Sequence, residues 1–410
     1  MSAFSVFKDR KTKKTAKETP TAEGHYARLG RVSAFFRYTC LVVIILLCVY
    51  AFSFHGDEMT MDNFRYMLKF INFGDDAETH KNGVLNFDTG SGSRGLIFKG
   101  DLCVMNENSV MISGWDGDVL VRENFGCDHP KMTENGINLF CYDLGGNELR
   151  IYNSYSRVYE HKYDYPIYDA AASASGRYAV VTSEKGFQSA VHVYDEHFRE
   201  VFKHSFSKLY TDFVEISPDG KEVITLSHRA SKGNLVTTLT RFDTTKEDGM
   251  STLEFVGELP LGIYRTDYGT AVLTSSRFRS YDSDFLLKGE CEIDGSTLTS
   301  VCVGKEYSVF AYGTGRLSGG TELSVCLPDG TEKIRIGFEE TFSDIMTSGD
   351  KIWALSPGKL TVCDISGNTE NKTYEIPTSF NRLLSDDGKP ILFSDSEARY
   401  FREDDYGGNK

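Results

Sequence analysis

The stretch "EISPDGKEVITLS", residues 215–227, sets two short apolar runs on either side of Ser-Pro-Asp-Gly-Lys. Pro218 stops an incoming strand, Asp219 closes a turn through its own side chain, and Gly220 supplies the positive φ that a tight hairpin demands. Lys221 solvates the rim. The stretch therefore reads as strand, turn, strand, with Asp219-Gly220 joining an innermost strand to its neighbour.

The same pattern recurs along the chain as "MNENSVMISG", "TENGINLFCYD", "SASGRYAVVTS", "TDYGTAVLTSS", "CVGKEYSVFAYG", "TSGDKIWALS" and "SDDGKPILFSD". Its turn residues fall near Asn108, Gly136, Gly176, Gly220, Gly269, Gly304, Gly349 and Gly388, which gives a mean period of 40 residues. Each unit continues into a second run that is aromatic or β-branched and ends on an acid or a turn: "DVLVREN", "ELRIYNS", "VHVYDE", "TLTRFD", "FRSYDS", "LSVCLPDG", "LTVCDISG", "ARYFRED". Flanking runs such as "EVFKHSF" and "KIRIGF" bring the unit to four short strands, which is the periodicity of a β-propeller. Composition agrees, because 28 Phe, 22 Tyr and 38 Gly against 9 Pro suit many short strands joined by turns.

The expected fold is all-β, a propeller of four-stranded blades over residues 83–402, with eight blades and seven as the alternative should the degenerate first or last units merge. The last repeat, Phe380 to Arg402, supplies three strands and no outer one. "VLNFD", Val84 to Asp88, alternates in polarity without a blade of its own, so its pairing with the last repeat would close the ring and remove an exposed edge.

Charge is divided along the chain. Residues 1–37 carry nine Lys/Arg and three acids, so this arm is +6 in a chain of net charge −14, leaving −20 for the remainder. That sign argues against nucleic acid as a partner, since phosphate neutralisation needs a basic face. The arm is polar and basic, and reads as a disordered cytoplasmic segment. Next comes "YTCLVVIILLCVYAFSF", residues 38–54, 17 positions without a charge. It is expected to be a single transmembrane helix at the short end of the workable range. A cleaved signal peptide is the competing reading, but Ala51–Ser53 offers a poor cleavage site. The basic residues before the anchor put the N-terminus in the cytoplasm and the bulk of the chain outside.

Residues 55–82 read as a juxtamembrane linker. Within it, "MTMDNFRYMLKFINFG" has a capping Thr60, Asp62 in the first turn, apolar Phe64, Met67, Leu68 and Ile71, and a terminating Gly74, the marks of a short amphipathic helix. Residues 403–410 read as a disordered tail.

The sequence carries few marks of chemistry. Cys40 and Cys48 lie in the membrane run, leaving seven of the nine Cys without regular spacing. With no C-x-x-C and no paired Cys/His set, they read as buried small hydrophobes in strands rather than as zinc ligands or a disulfide framework. "GSGSRG", Gly90 to Gly95, fits a phosphate-loop pattern, but it runs into a strand where the mechanism needs a helix N-terminus, so it reads as a connector. His192 and His197, in "HVYDEH", stand five apart and would face opposite ways on a strand. Most acids fall at turns. The expectation is no catalytic, cofactor or metal residues; an acid/base pair converging in the central funnel stays open.

"ISPDGKEVITLS" resembles the repeat motif of WD40-like and TolB-type propellers, although Trp115-Asp116 is the one Trp-Asp match and is misplaced. The layout of basic arm, single anchor, "MTMDNFRYMLKFINFG" and the run from "YPIYDAAASASGRYAVV" through "SPDGK" resembles an uncharacterised family of single-pass, membrane-anchored propeller proteins of Gram-positive bacteria. The resemblance implies an envelope location and no specific activity. The expected role is a non-catalytic, membrane-tethered extracytoplasmic module for protein interaction or sensing, with another envelope or membrane protein as partner. The alternative is an extracytoplasmic enzyme acting on envelope polymer or peptide through the funnel.

Overall fold

A computed structural model describes residues 33–46, 49, 83–87, 92–246, 250–266, 268–304, 306–315, 319–365 and 371–406. The chain divides into two units, residues 1–72 and 73–410. In the first, residues 33–46 are helical, and Thr39 Oγ1 donates to the Phe35 carbonyl one turn back (2.9 Å). Among the described residues, no helix is long and apolar enough to cross a membrane. Much of the run 38–54 and the whole expected amphipathic helix lie outside the described residues.

The second unit is a ring of eight four-stranded antiparallel sheets. Blade 1 spans Arg94–Asn124, blade 2 Pro130–Lys162, blade 3 Ile167–Phe206 and blade 4 Tyr210–Val256. Blade 5 spans Pro260–Glu292, blade 6 Leu298–Phe338, blade 7 Asp344–Glu375 and blade 8 Arg382–Tyr400. In the first seven, strand order within the sheet follows chain order, from the channel outward. The eighth takes its outermost strand from the start of the unit. Val84–Asn86 pairs antiparallel with Glu397–Tyr400 in the register Val84↔Arg399, Leu85↔Ala398, Asn86↔Glu397, as the unpaired "VLNFD" suggested.

The chain meets two ends of the ring. Turns between innermost and second strands lie on one, here the turn face. Connections between blades, and the hairpins joining second to third strands, lie on the other, here the crossover face. Seven of the expected turns join innermost to second strands. In blade 1 the reading was one strand late. Lys99-Gly100, both at positive φ (52° and 79°), makes the inner turn between Arg94–Phe98 and Asp101–Met105. Asn108 lies in the next loop, where the Asn106 side chain accepts from the Asn108 and Ser109 amides (2.9 and 2.8 Å) and so imitates the turn signal. "DVLVREN" is accordingly a fourth strand, Val119–Asn124.

Burial explains why the middle strands read as apolar runs. Each sheet is sandwiched between neighbours, so both faces are covered, and Tyr178–Val181 is buried at every position. Outermost strands such as Glu332–Phe338 alternate instead. Packing is between blades: Ala171, Val181 and Val191 of blade 3 meet Val214, Val223 and Phe242 of blade 4. At the closure, Leu85 and Phe87 pack with Phe393 of blade 8 and with Leu102, Met111 and Trp115 of blade 1.

After blade 8, Glu403–Tyr406 forms one helical turn where a disordered tail was expected. Tyr406 lies parallel to Phe401 (centroids 5.5 Å apart, 6° between planes), and that aromatic contact holds the segment down.

Candidate functional site

Each innermost strand turns one unpaired edge toward the channel, and two half-buried aspartates cover part of it. Asp169 Oδ1 accepts from the Tyr142 hydroxyl of blade 2 (3.0 Å), while Oδ2 accepts from the Val214 amide of blade 4 (3.0 Å). Asp344 repeats the arrangement across blades 6, 7 and 8, accepting from Ser300 Oγ (3.3 Å) and from the Leu383 amide (2.8 Å). Both carboxylates therefore staple three consecutive blades. Burial pushes the Asp169 carboxyl up to about 6 despite these donors.

Glu215, on the innermost strand of blade 4, differs. Burial pushes its carboxyl up to about 7, the Asp169 carboxylate adds to the rise, and Arg265 of blade 5 opposes it. It can hold or release a proton near neutral pH. Arg265 also faces Glu222 (3.9 Å). Nearer the crossover face, His228 Nδ1 lies 2.7 Å from Asp212 Oδ2, and its ring stacks on Tyr210 (5.5 Å). Among the described residues, no group of three or more His, Cys, Asp or Glu is arranged to hold a metal ion.

The other distinctive region is on the crossover face of blade 4. Its second and third strands, Glu222–Ser231 and Asn234–Asp243, are ten residues each, whereas the corresponding strands elsewhere run four to eight. Lys232-Gly233, at φ 50° and 83°, closes this hairpin in two residues. The innermost strand stops at Tyr210, opposite His228, and the outermost stops at Val256, opposite Val236. The pairs Ala230↔Leu235 and Ser231↔Asn234 thus extend past both flanking strands. With Arg229, the tip stands about 10 Å proud of them. At the ends of the flanking strands and on the adjoining connections, large apolar side chains are exposed: Tyr210 is 45% exposed, Val256 63%, Leu259 48%, and Phe187 on the neighbouring hairpin of blade 3 44%. On the hairpin's flank, Arg229 pairs with Glu254 (3.0 Å).

The residues singled out in the sequence fall into structural roles. His192 lies between Glu200 Oε2 (2.7 Å) and Thr182 Oγ1 (3.1 Å), while His197 sits in an exposed turn beside Glu196. They do not converge. Gly95 packs so closely that a Cβ would fall 2.6 Å from the Phe393 ring. Trp115 donates to the Gly100 carbonyl (3.0 Å) and packs on Tyr400. Six cysteines of the propeller are buried, and Cys302 is half-buried. The protruding hairpin has a local sequence signal beyond the blade repeat: "EVITLSHRAS" and "NLVTTLTRFD" flank Lys-Gly as unusually long β-branched runs.

These features define an eight-bladed propeller with a projecting hairpin on blade 4. Solved structures of low identity share the fold. BamB from Moraxella catarrhalis aligns with a TM-score of 0.50 at 10% identity, over 77% of this chain and 97% of that one. A eukaryotic initiation factor aligns at 0.52 and 12% identity, over 75% and 83%. Sqt1 of Chaetomium thermophilum, solved bound to the N-terminus of ribosomal protein L10, aligns at 0.51 and 10% identity, over 78% and 100%. No curated protein matches. The chain belongs to a family of unknown function, DUF5711, whose model matches residues 79–397.

Proposed function

We propose that this protein is a membrane-tethered, extracytoplasmic interaction module of the bacterial envelope, which docks another envelope or membrane protein on the crossover face of blade 4. The observation that carries the docking site is the projecting hairpin with Tyr210, Val256, Leu259 and Phe187 exposed around its base. Exposed apolar side chains beside a projecting edge suit a protein partner better than solvent. Sqt1 offers a precedent for a propeller that holds a protein segment. The tether reading rests on the uncharged run 38–54 and the basic arm before it. The −20 charge of the remainder favours a basic partner, bound in a salt-sensitive way.

The test is site-specific photo-crosslinking in native membranes. A crosslinker at Tyr210 or Val256 is expected to capture a discrete protein, while one at Ile137 on the turn face does not. Equal labelling from both faces would count against the site. A reporter active only outside the cytoplasm should work when fused after Lys410 and fail when fused before Arg28; the reverse pattern would overturn the tether reading.

A second reading, an enzyme working through the channel on envelope polymer or peptide, is favoured by Glu215 alone, whose carboxyl sits near neutral. Turnover of esters, glycosides or peptides that disappears in Glu215→Gln would promote it.

A further inference from the structure

The seam between blades 5 and 6 is closer than side-chain packing alone would make it. Ser280 Oγ of blade 5 donates to the Pro328 carbonyl of blade 6 (2.9 Å). Beside this bond the two backbones touch at paired glycines. A Cβ on Gly289 would fall 2.6 Å from the Asp329 carbonyl oxygen, and one on Gly330 would fall 2.7 Å from the Gly289 carbonyl oxygen. Cys291 stands two residues beyond Gly289 on the outermost strand of blade 5, and Cys326 ends the third strand of blade 6, three residues before Asp329. Both are buried, with their Sγ atoms 2.8 Å apart. Among the described residues, no other two Sγ atoms lie within hydrogen-bonding distance.

We propose that Cys291 and Cys326 are joined by a disulfide that staples blade 5 to blade 6 in the mature protein. This rests on the extracytoplasmic placement proposed above, since such bonds persist outside the reducing cytoplasm. The oxidant is a disulfide of the thiol–disulfide exchange class, carried by an oxidoreductase or a small molecule. One thiolate attacks the donor disulfide and releases a thiolate. The second then displaces the donor's remaining sulfur, so that two protons and two electrons leave the cysteine pair and reduce the donor to a dithiol, or to two thiols. Both thiols are buried in the closed seam, so the exchange takes place while the seam is open, as the chain folds. The bond encloses a loop of 35 residues at a junction otherwise held by packing and the Ser280–Pro328 hydrogen bond. Neither cysteine spacing nor strand pattern reveals the pair, because the two strands belong to different sheets.

The test uses the full chain from intact cells, with free thiols trapped by N-ethylmaleimide at lysis. Peptide mapping without reductant is expected to recover Cys291 and Cys326 as one linked species, with the other seven of the nine cysteines alkylated. In parallel, the purified full chain is unfolded and refolded in a glutathione redox buffer. Reduction should lower its melting temperature, an effect absent from a variant carrying both Cys291→Ser and Cys326→Ser. If both cysteines are alkylated in the cellular sample and the refolded chain also fails to close the bond, the proposal is overturned. If the refolded chain closes it while the cellular sample does not, the seam geometry stands and the extracytoplasmic placement fails.

Discussion

Phe87→Ala tests the ring closure most directly. Phe87 follows the closing strand, is buried, stacks on Phe393 of blade 8 (centroids 5.6 Å apart) and donates its amide to the Ser396 carbonyl (2.9 Å). A buried Phe cut to Ala ordinarily costs about 3–5 kcal/mol, from lost transfer energy and the space left behind. Here the low end applies, about 3 kcal/mol, because the closing strand is a sheet edge and can settle into part of that space. With a urea slope of about 3 kcal/mol per molar for a domain of this size, the unfolding midpoint falls by about 1 M. Val84→Ala is the control. It sits on the closing strand itself but only half-buried, and loses less than about 1 kcal/mol. Tryptophan emission is a well-placed probe, since the chain has two Trp residues. Trp115 packs on Tyr400 (4.4 Å) and Trp353 on Phe401 (5.4 Å), both near the closure. Equal midpoints for the two variants would refute the view that Phe87 locks the ring.

Other expectations can be checked alongside. The Asp169 and Glu215 carboxyls, raised to about 6 and about 7, bind protons in the folded chain at pH values where the unfolded chain has released them. Their destabilising effect is thus fully present only above about pH 8 and is relieved as pH falls toward 4, so stability to urea should rise between pH 8 and 5 by up to about 4 kcal/mol, and Glu215→Gln should flatten more than half of that slope. Gly220→Ala should cost more than Gly136→Ala in thermal unfolding: both glycines have positive φ, but a Cβ on Gly220 meets Arg177 Cδ at 2.5 Å whereas one on Gly136 meets nothing within 4 Å. A difference near zero would mean that the turns of blades 3 and 4 are not packed on each other. Asp344→Asn keeps the side chain's size but exchanges one acceptor oxygen for a donor beside the Leu383 amide or Ser300; a loss of about 1–2 kcal/mol is expected, and no loss would remove its role as a staple.

The ring was legible in the sequence because each blade repeats one local event, a turn whose backbone only certain residues adopt. Ser217, Asp219 and Gly220 show it: Ser217 Oγ donates to Asp219 Oδ1 (2.6 Å), Asp219 accepts from the Lys221 amide (3.1 Å), and Gly220 turns at φ 72°. Blade 1 was misregistered because Lys99-Gly100 makes the same bend without an acid, while Asn106 mimics one a strand later. What depends on neighbouring sheets was not legible. The staples of Asp169 and Asp344, the near-neutral Glu215 and the Cys291–Cys326 contact all join residues of different blades, and no local pattern encodes which side chains meet across a seam. The inner strands of blades 3 to 6 also carry register shifts, as between Thr211 and Phe213, that strict alternation conceals.

The closing strand also makes the ring a mechanical object. Tension on the chain ahead of Gly83 enters the propeller through Val84–Asn86, at three residues the shortest strand among the described residues. A pull along that strand loads its hydrogen bonds to blade 8 in shear, all at once, whereas a pull across it peels them one by one. The seven other blades are each built from contiguous chain and feel the load only after this clasp has parted. Leu85 and Phe87, wedged into the core between blades 8 and 1, set the force at which it does so, which makes the closure a fuse whose rating is written in two side chains.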